Sequence, residues 1–215
     1  VKWSGLWFVV AFGLLTVFWD LGIRRQRGEP NALLRTLVRD AVPAALVILP
    51  IAFLTYLATW YGWFTSNGYY RTWAADNGGY TGAEAALRSL AHYHAEAYKF
   101  HTGLTTAHSY QANAWGWPVL ARPTSFHYES EGLDCSAEAC SQEVIALGNP
   151  VIWWAAVLAM FHQAWRWAAV RDWRAGAVLC GFLAGWAPWL LFQERTVFAF
   201  YSVVFLPFMV TALTM

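Results

Sequence analysis

"AVPAALVILPIAFLTYLATWYGW", residues 41–63, carries no charged side chain. A helix needs about 20 apolar residues to cross the hydrocarbon of a bilayer, so this stretch reads as a membrane span. Pro43 and Pro50 would break a soluble helix. Inside a bilayer they are tolerated as kinks where neighbouring helices satisfy the freed carbonyls. Four further apolar runs cover 4–23, 151–170, 175–192 and 196–215, with Pro188 and Pro207 inside the last two. The run at 175–192 is the shortest and requires a steep or locally thinned crossing. Period-2 alternation is absent, which argues against a transmembrane barrel.

Composition agrees. The 215 residues are 58% hydrophobic and 13% charged, with 15 tryptophans, against about 25% charge in an ordinary soluble domain. Such a chain is expected to be an all-α polytopic membrane protein with aromatic belts at the lipid interfaces. A net charge of +1 gives no electrostatic basis for a nucleic-acid partner. The first residue is Val, no signal-peptide pattern is visible, and the closing "MVTALTM" is still apolar. The chain therefore reads as an excerpt of a longer protein.

Charge sets the expected sidedness. Arg24, Arg25, Arg27, Arg35 and Arg39 lie between the first two spans, and Arg166, Arg171 and Arg174 lie between the third and fourth. Basic links stay cytoplasmic, so the long segment 64–149 is expected outside, together with "QERT" at 193–196. That segment holds four basic residues against eight acidic ones, consistent with an external location. The organisation expected is two spans in 1–63, an extracytoplasmic segment in 64–149 and three spans in 150–215. Asp20, near the cytoplasmic end of the first span, is expected to pair with Arg24. Cys135 and Cys140 fall in the external segment, where a disulfide or two free thiols are both compatible with an oxidising compartment. A metal site there lacks a second ligand pair at suitable spacing. Cys180 reads as packing.

The external segment has parts. Residues 67–82 are turn-rich, with Asn-Gly and Gly-Gly steps. Residues 83–104 predict a helix, with Thr81 and Glu84 as a capping box and Leu87, Leu90, His94, Ala97 and His101 along one side. Its His92, His94, Glu96, Lys99 and His101 keep it out of hydrocarbon, so it is expected to lie along the outer bilayer surface. These histidines read as hydrogen-bonded surface groups more readily than as a metal site. Next comes a polar, aromatic, proline-punctuated stretch, "AHSYQANAWGWPVLARPTSFHYE" (107–129). Trp117 and Arg122 precede prolines and are expected to be extended. The block of about 105–130 is expected to fold as a loop onto the bundle. Its Arg122 either seeks an anion or pairs with Glu129 or Glu131.

Together with "YHAEAYKFHTGLTTA" before it and "QEVIALGNPVIWW" after it, this stretch resembles the carboxyl-terminal membrane region of protein O-mannosyltransferases. "KWSGLWF" at 2–8 and "QERTVFAFYSVVFLPF" at 193–208 resemble that family's other landmarks, in the same order. The bacterial branch fits best, because the external segment lacks the large inserted domains of the eukaryotic enzymes. His108, Tyr110, Gln111, Trp117, Pro118 and Arg122 match the family's motif. Ser109, Ala112 and Ala114 stand where the family usually has Pro, Ser and Pro, and Gly116 replaces a common Ser. The missing prolines loosen the loop by roughly 0.4–1 kcal/mol each.

The resemblance implies a fragment of a larger C-type glycosyltransferase fold in a bacterial plasma membrane. The whole protein would move mannose from a polyprenyl-phosphate-mannose donor lipid to Ser or Thr hydroxyls of a secreted or translocating polypeptide, on the extracytoplasmic face. The family's catalytic acidic residue belongs to a first external loop not present here, so no catalytic residue is assigned. No cofactor or metal is expected either. Such chemistry needs a cation at the carrier phosphate, an apolar groove for the prenyl tail and polar or aromatic contacts to the sugar. Arg195 is the first candidate cation, with interfacial pairing to Glu194 as its alternative, and Arg122 is the second. His108, Tyr110, Gln111 and Asn113 are candidate hydrogen-bonding groups for sugar or phosphate. Trp117 either stacks on the sugar or anchors the loop. Trp153 and Trp154 read as belt residues. A related transferase with a lipid or glycan acceptor is the nearest alternative. A transporter fragment or non-catalytic subunit is disfavoured, because the spans hold almost no ionisable residues and no inverted repeat is visible.

Overall fold

The computed structural model describes residues 3–66, 70–131, 134–136 and 139–215. The Asn67-Gly68 step lies outside them. The chain forms two compact units, one of residues 17–104 and one of residues 3–16 with 105–215. Helix α1 (Gly5–Gln26) contributes its first part to the second unit and its last part to the first.

In the first unit, α2 (Ala32–Thr36) runs through a π turn (Leu37–Ala41) into α3 (Val42–Thr59), giving a continuous helical stretch Ala32–Thr59. No residue of α3 is buried, and Leu46, Ile51 and Leu54 are all largely exposed. A helix apolar on every side and uncovered by protein is suited to lipid. The basic link is pinned by Arg24, which donates to Glu29 at 2.7 Å and to both carboxylate oxygens of Asp40 at 2.9 Å. The expected Asp20–Arg24 pair is not the one formed. Asp40, brought back by the turn into α2, offers two oxygens in a plane that matches the guanidinium fork.

After a short α4 (Tyr61–Thr65), the turn-rich segment forms another short helix, α5 (Trp73–Gly78), which Gly79 ends at φ 65°. The long helix α6 spans Gly82–Gly103, within a residue of expectation. Its capping box does not form. Thr81 occupies the N-cap with extended backbone but makes no side-chain cap bond, and Glu84 binds Arg88 at 2.9 Å. The buried side is Ala85, Ala86, Ser89 and Leu90, while Leu87 is 48% exposed. Packing against α5 selects small residues, and the Ser89 hydroxyl accepts from the Ala74 N–H. His94 Nδ1 donates to the Leu90 carbonyl at 2.7 Å, so Nε2 accepts from the Tyr56 hydroxyl at 2.5 Å. His92 stacks on Trp73.

The second unit is built on α7 (Pro150–Trp165), continued by a π turn to Val170, then α8 (Trp173–Trp186) and α9 (Leu206–Leu213). Asn149 starts α7 by accepting from the N–H groups of Val151 and Ile152, and Asp172 starts α8 by accepting from Arg174. Trp117, Trp153, Phe182, Phe205 and Met209 fill the core between them. At Gly181 an added Cβ would lie 2.1 Å from the Phe208 ring, so only glycine admits α8 this close to α9. Phe208 stacks in turn on Phe8 of α1.

Among the described residues, three segments are long and apolar enough to cross a membrane: Gly5–Gln26, Ala32–Thr59 and Trp173–Leu191. They coincide with the first, second and fourth of the five apolar runs. Residues 150–170 are helical, but His162, Gln163 and Arg166 make the run more polar. The last run is split into a 3-10 turn (Ala199–Val204) and α9, whose eight residues rise only about 12 Å. Phe198 is extended before it, and Pro207 supplies no N–H. The all-α expectation also misses an antiparallel hairpin, β1 (Thr124–Glu129) with β2 (Gln142–Ala146), which carries a register shift between Ser125 and His127. Cys135 and Cys140 form a disulfide between the strands' sequence positions.

Candidate functional site

The stretch opened by Thr105 is held to the turn after α8 by three bonds distant in sequence. The Ala112 N–H donates to the Val197 carbonyl at 2.9 Å. Asn113 gives its side-chain amide to Gln193 at 2.7 Å. The Thr196 hydroxyl donates to the Thr106 carbonyl at 2.5 Å. Thr196 and Val197 are buried, so these bonds form away from competing water. Arg195 sits between their anchor points.

The loop itself departs from expectation at Trp117. Residues Ala114–Val119 form a 3-10 turn, and Trp117 lies inside it instead of being extended. Asn113 caps this turn by accepting from the Trp115 N–H at 3.0 Å. Trp117 is 1% exposed, and its indole donates to the Ala112 carbonyl at 2.9 Å. Burial of this indole outweighs the local pre-proline preference. Two more indoles bind the same turn: Trp153 reaches the Trp117 carbonyl and Trp186 the Ala114 carbonyl. Trp153 is therefore a core residue and not a belt residue. Trp154, 55% exposed, still donates to the Val119 carbonyl. The absent prolines leave a loop stiffened by indole hydrogen bonds, which composition alone does not reveal.

Arg195 is half-buried, with its guanidinium carbon 5.5 Å from the centre of the Trp189 ring. Trp189 packs edge-on to Trp117 and against Tyr201. The cation thus rests on an aromatic wall that continues into the core, a geometry that attracts a guanidinium and fixes its plane. Arg122 is exposed and donates to the Ser109 carbonyl at 2.5 Å, not to Glu129 or Glu131. Glu129 accepts from Gln142. The exposed His108 takes the Tyr110 N–H on Nδ1 at 3.1 Å, which leaves its proton on Nε2 as a donor. Its ring meets Phe198 edge-on at 5.1 Å. Tyr110 and Gln111 are half-buried in the turn that follows, where the Gln111 N–H closes onto the His108 carbonyl.

The structure thus gathers Arg195, His108, Tyr110, Asn113 and Trp117 onto one hydrogen-bonded frame, with Arg122 tied to it through Ser109. Thr106, Thr196, Gln193 and Trp186 complete that frame and were not candidates from sequence. The polar "QERT" turn between apolar runs hinted at Gln193 and Thr196 alone.

These features define a helical membrane protein with a basic, aromatic-lined site on a connecting turn. The chain belongs to the protein O-mannosyltransferase family: residues 86–214 match the family's "C-terminal four TMM region". The polyprenol-phosphate-mannose–protein mannosyltransferases of Mycolicibacterium smegmatis and Mycobacterium tuberculosis are 37% and 34% identical to it across its whole length. That of Corynebacterium glutamicum is 32% identical. The chain spans 43% of the length of each of these relatives. No solved structure matches it.

Proposed function

We propose that this region is the donor-binding part of a membrane mannosyltransferase that moves mannose from a polyprenyl-phosphate carrier to Ser or Thr hydroxyls of polypeptides crossing the plasma membrane. In this reading the turn at 193–197 faces the extracytoplasmic side, and a first external loop elsewhere in the full-length protein supplies the acidic residue that deprotonates the acceptor. Arg195 binds the carrier phosphate. Negative charge grows on that phosphate as the glycosidic bond breaks, so a cation held beside it favours the transition state over the ground state. The observation that carries the proposal is the frame of bonds from Thr106, Ala112 and Asn113 to the turn. It holds the Arg195 backbone on both sides, while Trp189 orients the side chain.

In the same reading, His108 Nε2–H, Gln111 and the Tyr110 hydroxyl donate to sugar or phosphate oxygens. Arg122 is the second cation. Asn113 acts mainly by positioning Gln193 and the turn, and Trp117 by anchoring the loop. The long exposed apolar helices supply the lipid-facing surface that a prenyl tail requires.

Replacing Arg195 by Ala in the full-length protein tests this. Mannose transfer in isolated membranes should fall roughly 10- to 100-fold, the worth of a hydrogen bond to a charged group, while membrane insertion is unchanged. Unaltered transfer would rule out the phosphate role.

A further inference from the structure

The β1–β2 hairpin is left over from the donor frame. Both strands are solvent-exposed along most of their length, with Phe126, Tyr128 and Val144 each more than half exposed. Among the described residues the sheet has two strands, so the outer edge of each offers unpaired N–H and C=O groups. Residues 124–149 contain five acidic side chains and neither Lys nor Arg. Glu129, Glu131, Asp134 and Glu143 are exposed. The disulfide between Cys135 and Cys140 shortens the connection between the strands and limits the conformations the hairpin can take.

The hairpin also leads to the donor frame. Phe126 meets Phe200 at 5.4 Å, Phe200 stacks on Phe198 at 5.6 Å, and Phe198 meets His108 at 5.1 Å. Arg122 precedes the first residue of β1 by two positions. A chain laid along β1 would run from the acidic strands toward His108 and Arg122.

We infer that this hairpin docks the acceptor: an extended, hydroxyl-bearing polypeptide segment carrying Lys or Arg pairs along the open strand edge and is selected by the acidic side chains. The inference rests on the mannosyl-transfer reading and names its acceptor class. Strand addition suits an unfolded substrate, because main-chain bonds give affinity without requiring one sequence. Charge then supplies preference. The same carboxylates repel anionic lipid headgroups, which argues against the bilayer surface as the occupant despite Phe126 and Tyr128.

The test uses the full-length protein in nanodiscs and two labelled Ser/Thr peptides, one flanked by Lys and one by Glu. Binding is read by fluorescence anisotropy and transfer by the peptide KM. Wild-type protein should bind the Lys-flanked peptide about tenfold more tightly. The double variant Glu131→Lys with Glu143→Lys should remove most of that preference while the donor KM stays the same. Both positions are exposed, so folding is not at stake. Equal affinity for the two peptides, or a preference the double variant leaves intact, overturns the inference. So does quenching of a Tyr128→Trp variant by brominated lipids, which would put the strand in the bilayer. Transfer without charge preference removes the docking surface alone. A charge preference that the double variant abolishes, without any transfer by wild-type protein, removes the transferase reading alone.

Discussion

Ala112 gives its backbone N–H to the carbonyl of Val197 at 2.9 Å, joining the aromatic loop to the turn that carries Arg195. A backbone bond is indifferent to side-chain identity. The loop can therefore hold Ala at 112 and still grip the turn.

Cutting a neighbouring tie should show how far Arg195 depends on it. Thr196→Val keeps the side-chain shape but removes the hydroxyl that donates to Thr106, leaving a carbonyl without that donor. Stability should fall by about 1–3 kcal/mol, read as a lower melting temperature in detergent. The donor KM should rise more than the acceptor KM.

Close approach of α8 and α9 depends on Gly181. Gly181→Ala puts a methyl group onto the Phe208 ring, which already stacks on Phe8, so the ring has little room to retreat. Overpacking of this kind costs about 1–3 kcal/mol. Thermal unfolding of the purified variant would measure it, and Gly13→Ala, with nothing near its Cβ, serves as the neutral control.

Helix α7 starts on the Asn149 side chain, which accepts from two successive N–H groups at 3.0 and 3.3 Å. Asn149→Ala should cost about 1 kcal/mol, and Asn149→Asp or Asn149→Ser considerably less. Detergent melting curves for the three variants provide the comparison.

Asp172 supplies a pH dependence. Burial opposes its charged form, but hydrogen bonds from the Arg174 backbone and side chain, with the charge of Arg166, outweigh that and hold its pKa below the ordinary carboxylate range. A lowered folded-state pKa means stabilisation that is complete above the unfolded value and lost as pH falls through the folded one. Below about pH 4 the cap of α8 and its two arginine contacts should weaken. Melting temperature against pH should therefore fall less steeply at the acid end for Asp172→Asn, which keeps a capping oxygen but does not titrate.

Much of the helical content was legible from local pattern. The run 41–63 has no charge to place anywhere but lipid, and α6 begins and ends where its polar-apolar rhythm does. The cysteine pair could be seen, though not its state. Local pattern failed wherever a distant partner decided the outcome. Arg24 chose Asp40 over Asp20 because the chain's return set the Asp40 carboxylate square against the guanidinium. Trp117 turned into a 3-10 helix because burying its ring outweighed a pre-proline preference. Thr81 left its cap unmade while Glu84 took Arg88. The final apolar run broke at Phe198, next to the Val197 carbonyl that accepts from the loop's Ala112 N–H.

What the sequence by itself determined is therefore the set of segments that must avoid water and the polar, aromatic stretches that must not enter lipid. Hydrophobicity is a local sum and can be read without knowing the neighbours. What only the tertiary structure decided is which polar stretches meet: that the turn at 193–197 closes on the loop at 106–113, that Arg195 rests on Trp189, and that the acidic hairpin stands beside His108 by way of three phenylalanines. Hydrogen bonds and ring contacts act over a few ångströms and pair groups far apart along the chain, so their partners exist only once the helices have packed.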